Sequence, residues 1–385
     1  MKKIFFCVKG LAFLILLVFA ALSLSVGAYA EDDIGALPEE YYGMLENIPD
    51  EVADRLPDEM YSGDAESIGE ALTELTSSEY IFSLISELFG SGIGDALGVA
   101  ARLCGILLIS AVFASFKKSL NSEALSKAVG FCSSCAVFAA VIDMQYEQLS
   151  MVEGFFERLN SLFLGMIPVT GAIYAMGGNI STAAAGNTAM YTFLAVSERI
   201  CASTIIPISC VCTALALCRG VAHEINLQGI SSGIKKCYVF VLGMIMTILT
   251  ALLAAQTTLT AAADSTAARA AKMVTSSMIP HVGGSVSDTL RTVASSVQYM
   301  KGIVGVSGII FIVILLLPTL ISLILTRFAF SFSGCVADLL GCEGESKLIG
   351  ELGQVYGCMI AAVAMSSVMF ILALNIFIKT TVALL

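Results

Sequence analysis

The sequence predicts an all-α, polytopic α-helical membrane protein. Three observations predict it. Hydrophobic residues fill 57% of the 385 positions and charged residues only 13%, where a soluble domain has roughly half and a quarter. Mean hydropathy is +0.89. The apolar residues gather into runs long enough, at about 1.5 Å per residue, to cross roughly 30 Å of hydrocarbon. No Trp is present, so an interfacial aromatic belt has to come from Tyr and Phe.

Residues 1–30 have the form of a cleavable signal peptide. Lys2, Lys3 and Lys9 precede an apolar stretch over 11–24, and Ala28-Tyr29-Ala30 closes it as an A-x-A cleavage pattern. An uncleaved first membrane helix is the competing reading. Glu31, Asp32 and Asp33 follow directly and favour cleavage after Ala30.

Residues 31–95 form a short acidic extracytoplasmic segment. They hold 18 of the 31 acidic residues and one base, Arg55; from residue 96 onward 13 acids face 16 bases. The charge of −11 therefore belongs to one segment, and the rest is near neutral. No basic footprint for nucleic acid exists. Pro38, Pro49 and Pro57 restrict the segment to short helices. Beyond Ser62, residues Ile68, Ala71, Leu72 and Leu75 recur on one helical face. About 65 residues with few large apolar side chains make a marginal core alone, so this face is expected to lie on the membrane or on a partner.

Residues 96–385 form a multi-pass domain of six or seven membrane helices. The first, 98–116, is followed by Lys117, Lys118 and Lys127, which makes that loop cytoplasmic by the positive-inside rule. Residues 128–142 return, and Asp143, Glu147, Glu153, Glu157 and Arg158 read as an acidic outer connection. Residues 159–217 carry Pro168, Gly171, Gly177, Gly178 and Pro207. This pattern predicts broken or re-entrant helices, tolerated at membrane depth only inside protein or beside water. Arg219, Lys235 and Lys236 mark another cytoplasmic loop. Residues 238–255 are a clean span, 304–326 a span interrupted by Pro318, 329–351 a short polar connection and 352–378 the last span.

Function is best sought in 257–301, a charged amphipathic or re-entrant stretch between two apolar runs. It carries Asp264, Arg269, Lys272, Pro280, His281, Gly283, Gly284, Asp288, Arg291 and Lys301. Charges beside a bilayer are usually paired, solvated or functional. Asp288 and Arg291 are spaced to pair on a helix. An interfacial helix hairpin touching headgroups explains the stretch; a conduit wall or docking surface is the sharper reading. Met166-Ile167-Pro168 with Gly171 and Gly177-Gly178 partly matches Met278-Ile279-Pro280 with Gly283-Gly284. Paired interruptions of this kind mark sites in inverted-repeat transporters, but chance in a Gly- and Ser-rich chain is the favoured explanation.

Catalytic signals are missing. There is no HExxH, GxSxG or phosphate loop, and the two histidines, His223 and His281, lie far apart. Cys132-Ser-Ser-Cys135 has no second pair or histidine cluster, so packing explains the cysteines better than metal or redox chemistry. No catalytic residue, cofactor or metal is expected.

The order of features from Gln256 to Ile310 is specific: Asp264, Arg269, Lys272, Ile279-Pro280, Gly283-Gly284, Ser287-Asp288, then Lys301-Gly302, Gly305 and Gly308. It resembles the membrane region of the stage III sporulation protein AE family. The signal-like N-terminus, the proline-bearing leader, Ile167-Pro168-Val169 and the last apolar helix extend the resemblance over nearly the whole mature chain. His281 departs from the apolar residue expected there and makes the local environment more polar. The resemblance implies a non-enzymatic subunit of the secretion-like channel complex between mother cell and forespore. It implies a place in the outer forespore membrane. The implied partners are other stage III sporulation A-operon membrane proteins and the forespore protein Q, besides the lipid bilayer. The alternative is a stand-alone secondary transporter or permease.

Overall fold

The computed structural model describes residues 37–119, 123–176, 182–221, 228–278 and 283–379. Among them no strand occurs, and ten helices follow in order. The leader holds α1 (Glu39–Leu45), α2 (Asp50–Ala53), α3 (Glu59–Ser62) and α4 (Ala65–Leu75). Six long helices follow: α5 (Ser78–Ser119), α6 (Glu123–Met176), α7 (Thr182–Val221), α8 (Gln228–Met278), α9 (Gly283–Leu339) and α10 (Glu343–Lys379).

Proline spacing sets the leader helices. Pro38 and Pro49 are the extended N-caps of α1 and α2, where a missing N–H costs nothing. Asp64 caps α4 by accepting the Ser67 backbone N–H at 2.9 Å. The carboxyl of Asp64 is held below its ordinary range, first by that N–H and then by the Ser67 side chain. Ile68, Ala71, Leu72 and Leu75 are all buried, as their spacing predicts.

The leader has no core of its own; it shares that of α6 and α9. Tyr41 is fully buried and its hydroxyl lies 3.1 Å from the Ser307 hydroxyl of α9. Tyr299 of α9 donates to the Ala65 carbonyl at 3.4 Å. Arg158 of α6 meets Glu51 at 2.9 Å, and Arg55 meets Glu87 of α5 at 3.4 Å. The amphipathic face thus lies on the chain's own helices. α5 runs unbroken through residues 95 and 96.

Among the described residues, six helices are long and apolar enough to cross a membrane: Ser78–Phe113, Met144–Met176, Met190–Ala216, Gly229–Ala255, Ser295–Leu339 and Glu343–Lys379. They are not equivalent. The most apolar window of Ser295–Leu339 is 83% buried inside the protein, against 22% for Ser78–Phe113 and 28% for Gly229–Ala255. A helix apolar all round must be enclosed by something. For α9 the enclosure is largely protein; α5, α7 and α8 offer apolar faces to their surroundings through Leu108, Val196 and Phe240. α9 and α10 form the inner pair. Close approach there requires glycine at one point: a Cβ on Gly305 would collide with Ile378, whereas one on Gly308 would meet only the movable ends of Met166 and Leu374.

Three expectations need correction. The acidic outer connection over 143–158 is part of the continuous helix α6. Its buried side, with Met144, Val152, Phe155 and Phe156, keeps the helical period while Glu147, Glu153 and Glu157 face outward. The break predicted at Pro168 and Gly171 is absent, and Pro207 and Pro318 also lie inside helices. A proline removes one helical bond; within a bundle, nearby hydroxyls and packing hold the helix together. Pro168 leaves the Leu164 carbonyl without its helical donor, and the burial of Phe163, Met166 and Val169 around it keeps the helix continuous. The polar connection over 329–351 shrinks to 340–342. There Gly341 has φ +73° and Cys342 N–H reaches the Ala337 carbonyl at 2.9 Å, a glycine-dependent C-terminal cap. Met166 and Pro168 lie inside α6, whereas Met278 ends α8. The two MIP motifs are thus placed differently on their helices.

Candidate functional site

The residues singled out in 257–301 are distributed over the C-terminal end of α8 and the N-terminal end of α9. Asp264, Arg269 and Lys272 fall on α8, and Gly283, Gly284, Asp288 and Arg291 on α9. The side chains of these charged residues lie outside the described residues, as do Pro280, Gly177, Gly178, Ala28 and Ala30.

Lys301 is described, and it is buried at 2% exposure. Its ammonium stands 4.6 Å from the Tyr174 ring centroid and 5.8 Å from that of Phe377. The two rings meet edge to face, 5.4 Å apart at 75°. α6, α9 and α10 each supply one member. Aromatic faces stabilise a desolvated cation by about 2 kcal/mol or more, so this lysine ties three helices together at one end of the inner pair. Next to it, Gln298 donates to the Ile378 carbonyl at 2.7 Å.

A second buried charge site links α8 to α10. Lys235 Nζ lies 2.7 Å from Glu351 Oε2, with side-chain exposures of 9% and 8%. The same ammonium donates to Gln354 Oε1 at 3.0 Å, and Ser231 donates to Glu351 at 3.3 Å. Sequence reasoning took Lys235 as a loop marker and Glu351 as the end of a polar connection; both are interior helix residues. Ser231 and Lys235 are four apart, and Glu351 and Gln354 three apart. Each pair of polar residues shares a face of an apolar helix, which is the available signal. Their mutual contact spans 116 residues and leaves no local trace.

Elsewhere in the bundle, Glu198 of α7 is buried at 5% exposure. Gln145 of α6 is buried at 4%, with neither side-chain amide atom partnered. Cys201, Cys212 and Cys358 are buried free thiols, whereas Cys132 is exposed. Among the described residues no group of three or more His, Cys, Asp or Glu is arranged to hold a metal.

A family model for stage III sporulation protein AE matches residues 68–381. The chain belongs to the stage III sporulation protein AE family. The match opens inside α4 and takes in all six candidate spans from end to end. The family is thus defined by the helical body and the helix that docks on it, and α1 to α3 lie outside the match. The chain is similar to stage III sporulation protein AE of Bacillus subtilis (strain 168), with 19% identity over 304 residues, 78% of this chain and 75% of that one. No solved structure matches. Membership makes this a sporulation protein, and its six membrane-length helices mark it as an integral membrane protein.

Proposed function

We propose that this member of the AE family is a non-enzymatic subunit of a secretion-like channel complex joining mother cell and forespore. It serves forespore maintenance and late forespore gene expression. In this reading the signal peptide is removed after Ala30, and the acidic leader faces the space between the two membranes. The six spans sit in the outer forespore membrane. The partners are the other stage III sporulation A-operon membrane proteins and the forespore protein Q. The charged ends of α8 and α9, with Pro280 and Gly283-Gly284 between them, are the elements assigned to assembly or conduction.

The observation that carries this reading is the filled centre of the bundle. From Ile303 to Leu317 almost every side chain of α9 is apolar and buried. Met166, Phe370 and Leu374 from α6 and α10 are packed around it. A stand-alone permease needs a polar route through its own fold, and the inner pair is sealed by side chains instead. A conduit then needs more than one subunit, and the apolar faces of α5, α7 and α8 are left for lipid and neighbouring subunits to cover. Purified protein reconstituted alone in vesicles tests this. No saturable flux of ions or small metabolites is expected, and robust flux from the single protein overturns the subunit reading.

A further inference from the structure

Residues 351–358 of α10 gather more positive charge than they answer. Lys235 reaches them from α8 and Arg327 from α9, and both lie near enough to the Cys358 thiol to act on it electrostatically. The carboxylate present is Glu351, and Lys235 takes it at 2.7 Å. Arg327 is half-buried inside the span Ser295–Leu339. Among the described residues it has neither an ion pair nor a hydrogen bond. A guanidinium in a membrane span is costly unless an anion or water meets it.

The seat of that guanidinium is well defined. A Cβ built on Gly357 would stand 3.3 Å from Arg327 Cζ, 3.3 Å from Nη1 and 3.5 Å from Nη2. Three nearly equal distances of this size place the guanidinium plane flat over the glycine, so its N–H edges are left open. One turn earlier on α10, Gln354 is exposed. Its Oε1 accepts from Lys235 at 3.0 Å, and its amide N–H groups make no hydrogen bond among the described residues. Beside Arg327, Phe328 and Phe332 are each 52% exposed. The seam between α9 and α10 thus combines a seated fork of donors, an excess positive charge and a flanking apolar surface.

We propose that this seam binds the phosphate of an anionic phospholipid. The Arg327 guanidinium and the Gln354 amide donate to the phosphate oxygens, and the planar fork suits two of them at once. Phe328 and Phe332 lie against the acyl chains. A soluble phosphate meets the same donors but leaves both rings uncovered. Basic pockets between membrane helices hold lipid headgroups by this chemistry.

Native mass spectrometry of the full-length protein in a non-ionic detergent tests the site. The probes are dioleoylphosphatidylglycerol, dioleoylphosphatidylcholine and glycerol 1-phosphate. Saturable retention of the phosphatidylglycerol, tighter than that of either other probe, is expected. Arg327→Gln should weaken it about tenfold, the loss of one charge-assisted fork. Gly357→Ala keeps every charge but lifts the guanidinium off its seat, and should weaken retention by a smaller factor. Arg199→Gln removes an exposed arginine of α7 and should leave retention unchanged. Melting curves check that the variants fold, and Gly357→Ala carries the test if Arg327→Gln does not. Equal retention of phosphatidylcholine, or equal weakening by Arg199→Gln, overturns the site and leaves only diffuse attraction of lipid to the bundle. Glycerol 1-phosphate bound as tightly as the phospholipid overturns lipid as the ligand.

Discussion

Replacing Lys235 by methionine leaves Glu351 as a buried carboxylate that has lost its counter-charge. At 2.7 Å and an effective dielectric of about 20, the pair attracts by about 6 kcal/mol before desolvation is counted. Desolvation offsets much of this, so the net worth of the pair is small, but breaking it is not. Removing one partner of a buried pair costs about 3–5 kcal/mol, whereas replacing both by apolar residues of similar size is near neutral. Lys235→Met and Glu351→Met should each fall in that range, because both side chains are more than nine-tenths buried. Gln354 and Ser231 soften the loss without replacing the charge. The double variant should lie within about 2 kcal/mol of wild type, giving a coupling of roughly 3 kcal/mol or more. Reversible unfolding of the purified protein in detergent, followed by circular dichroism across the four-protein cycle, reads these values. Two single variants that each cost under about 1 kcal/mol and simply add would show the pair to be solvated, and the α8–α10 link with it.

Three further outcomes follow from the packing. Tyr174→Leu should cost about 1–2 kcal/mol more with Lys301 present than in a Lys301→Met background, since the ring stabilises the ammonium; the same unfolding cycle checks it. Gly305→Ala should destabilise by about 1–3 kcal/mol through overpacking against the branched side chain of Ile378, while Gly171→Ala, with nothing within 4 Å of its Cβ, should not; melting temperatures separate the two. The Asp64 carboxyl has a lowered pKa in the folded chain. Its contribution is therefore present above the ordinary carboxylate pKa of about 3.9 and lost as pH falls through the folded value. Asp64→Ala should flatten the acid limb of stability against pH, read as leader protection from proteolysis.

Much of the fold was legible because it depends on local chemistry. Pro38 and Pro49 start α1 and α2 where a proline fits, and the Ile68–Leu75 face points inward as its spacing requires. The apolar runs became membrane-length helices. The misreadings share one cause. Pro168, Pro207 and the acidic residues of 147–157 look like interruptions when judged one at a time. In the bundle, the buried face of α6 outweighs the loss of a single backbone bond. The docking of the leader through Tyr41 and Ser307, 266 residues apart, and the Lys235–Glu351 contact are non-local and cannot be read from spacing. Of the charged stretch, the sequence identified the family and the structure located Lys301 in its aromatic cage.

The proposed role is tested most directly by what the protein carries with it. Tagged full-length protein should be purified in mild detergent from sporulating cells, and the co-purifying proteins identified by mass spectrometry against an untagged control. The subunit account predicts stoichiometric recovery of other stage III sporulation A-operon membrane proteins and of the forespore protein Q. Recovery of the protein alone, in a form that transports a substrate by itself, would contradict it.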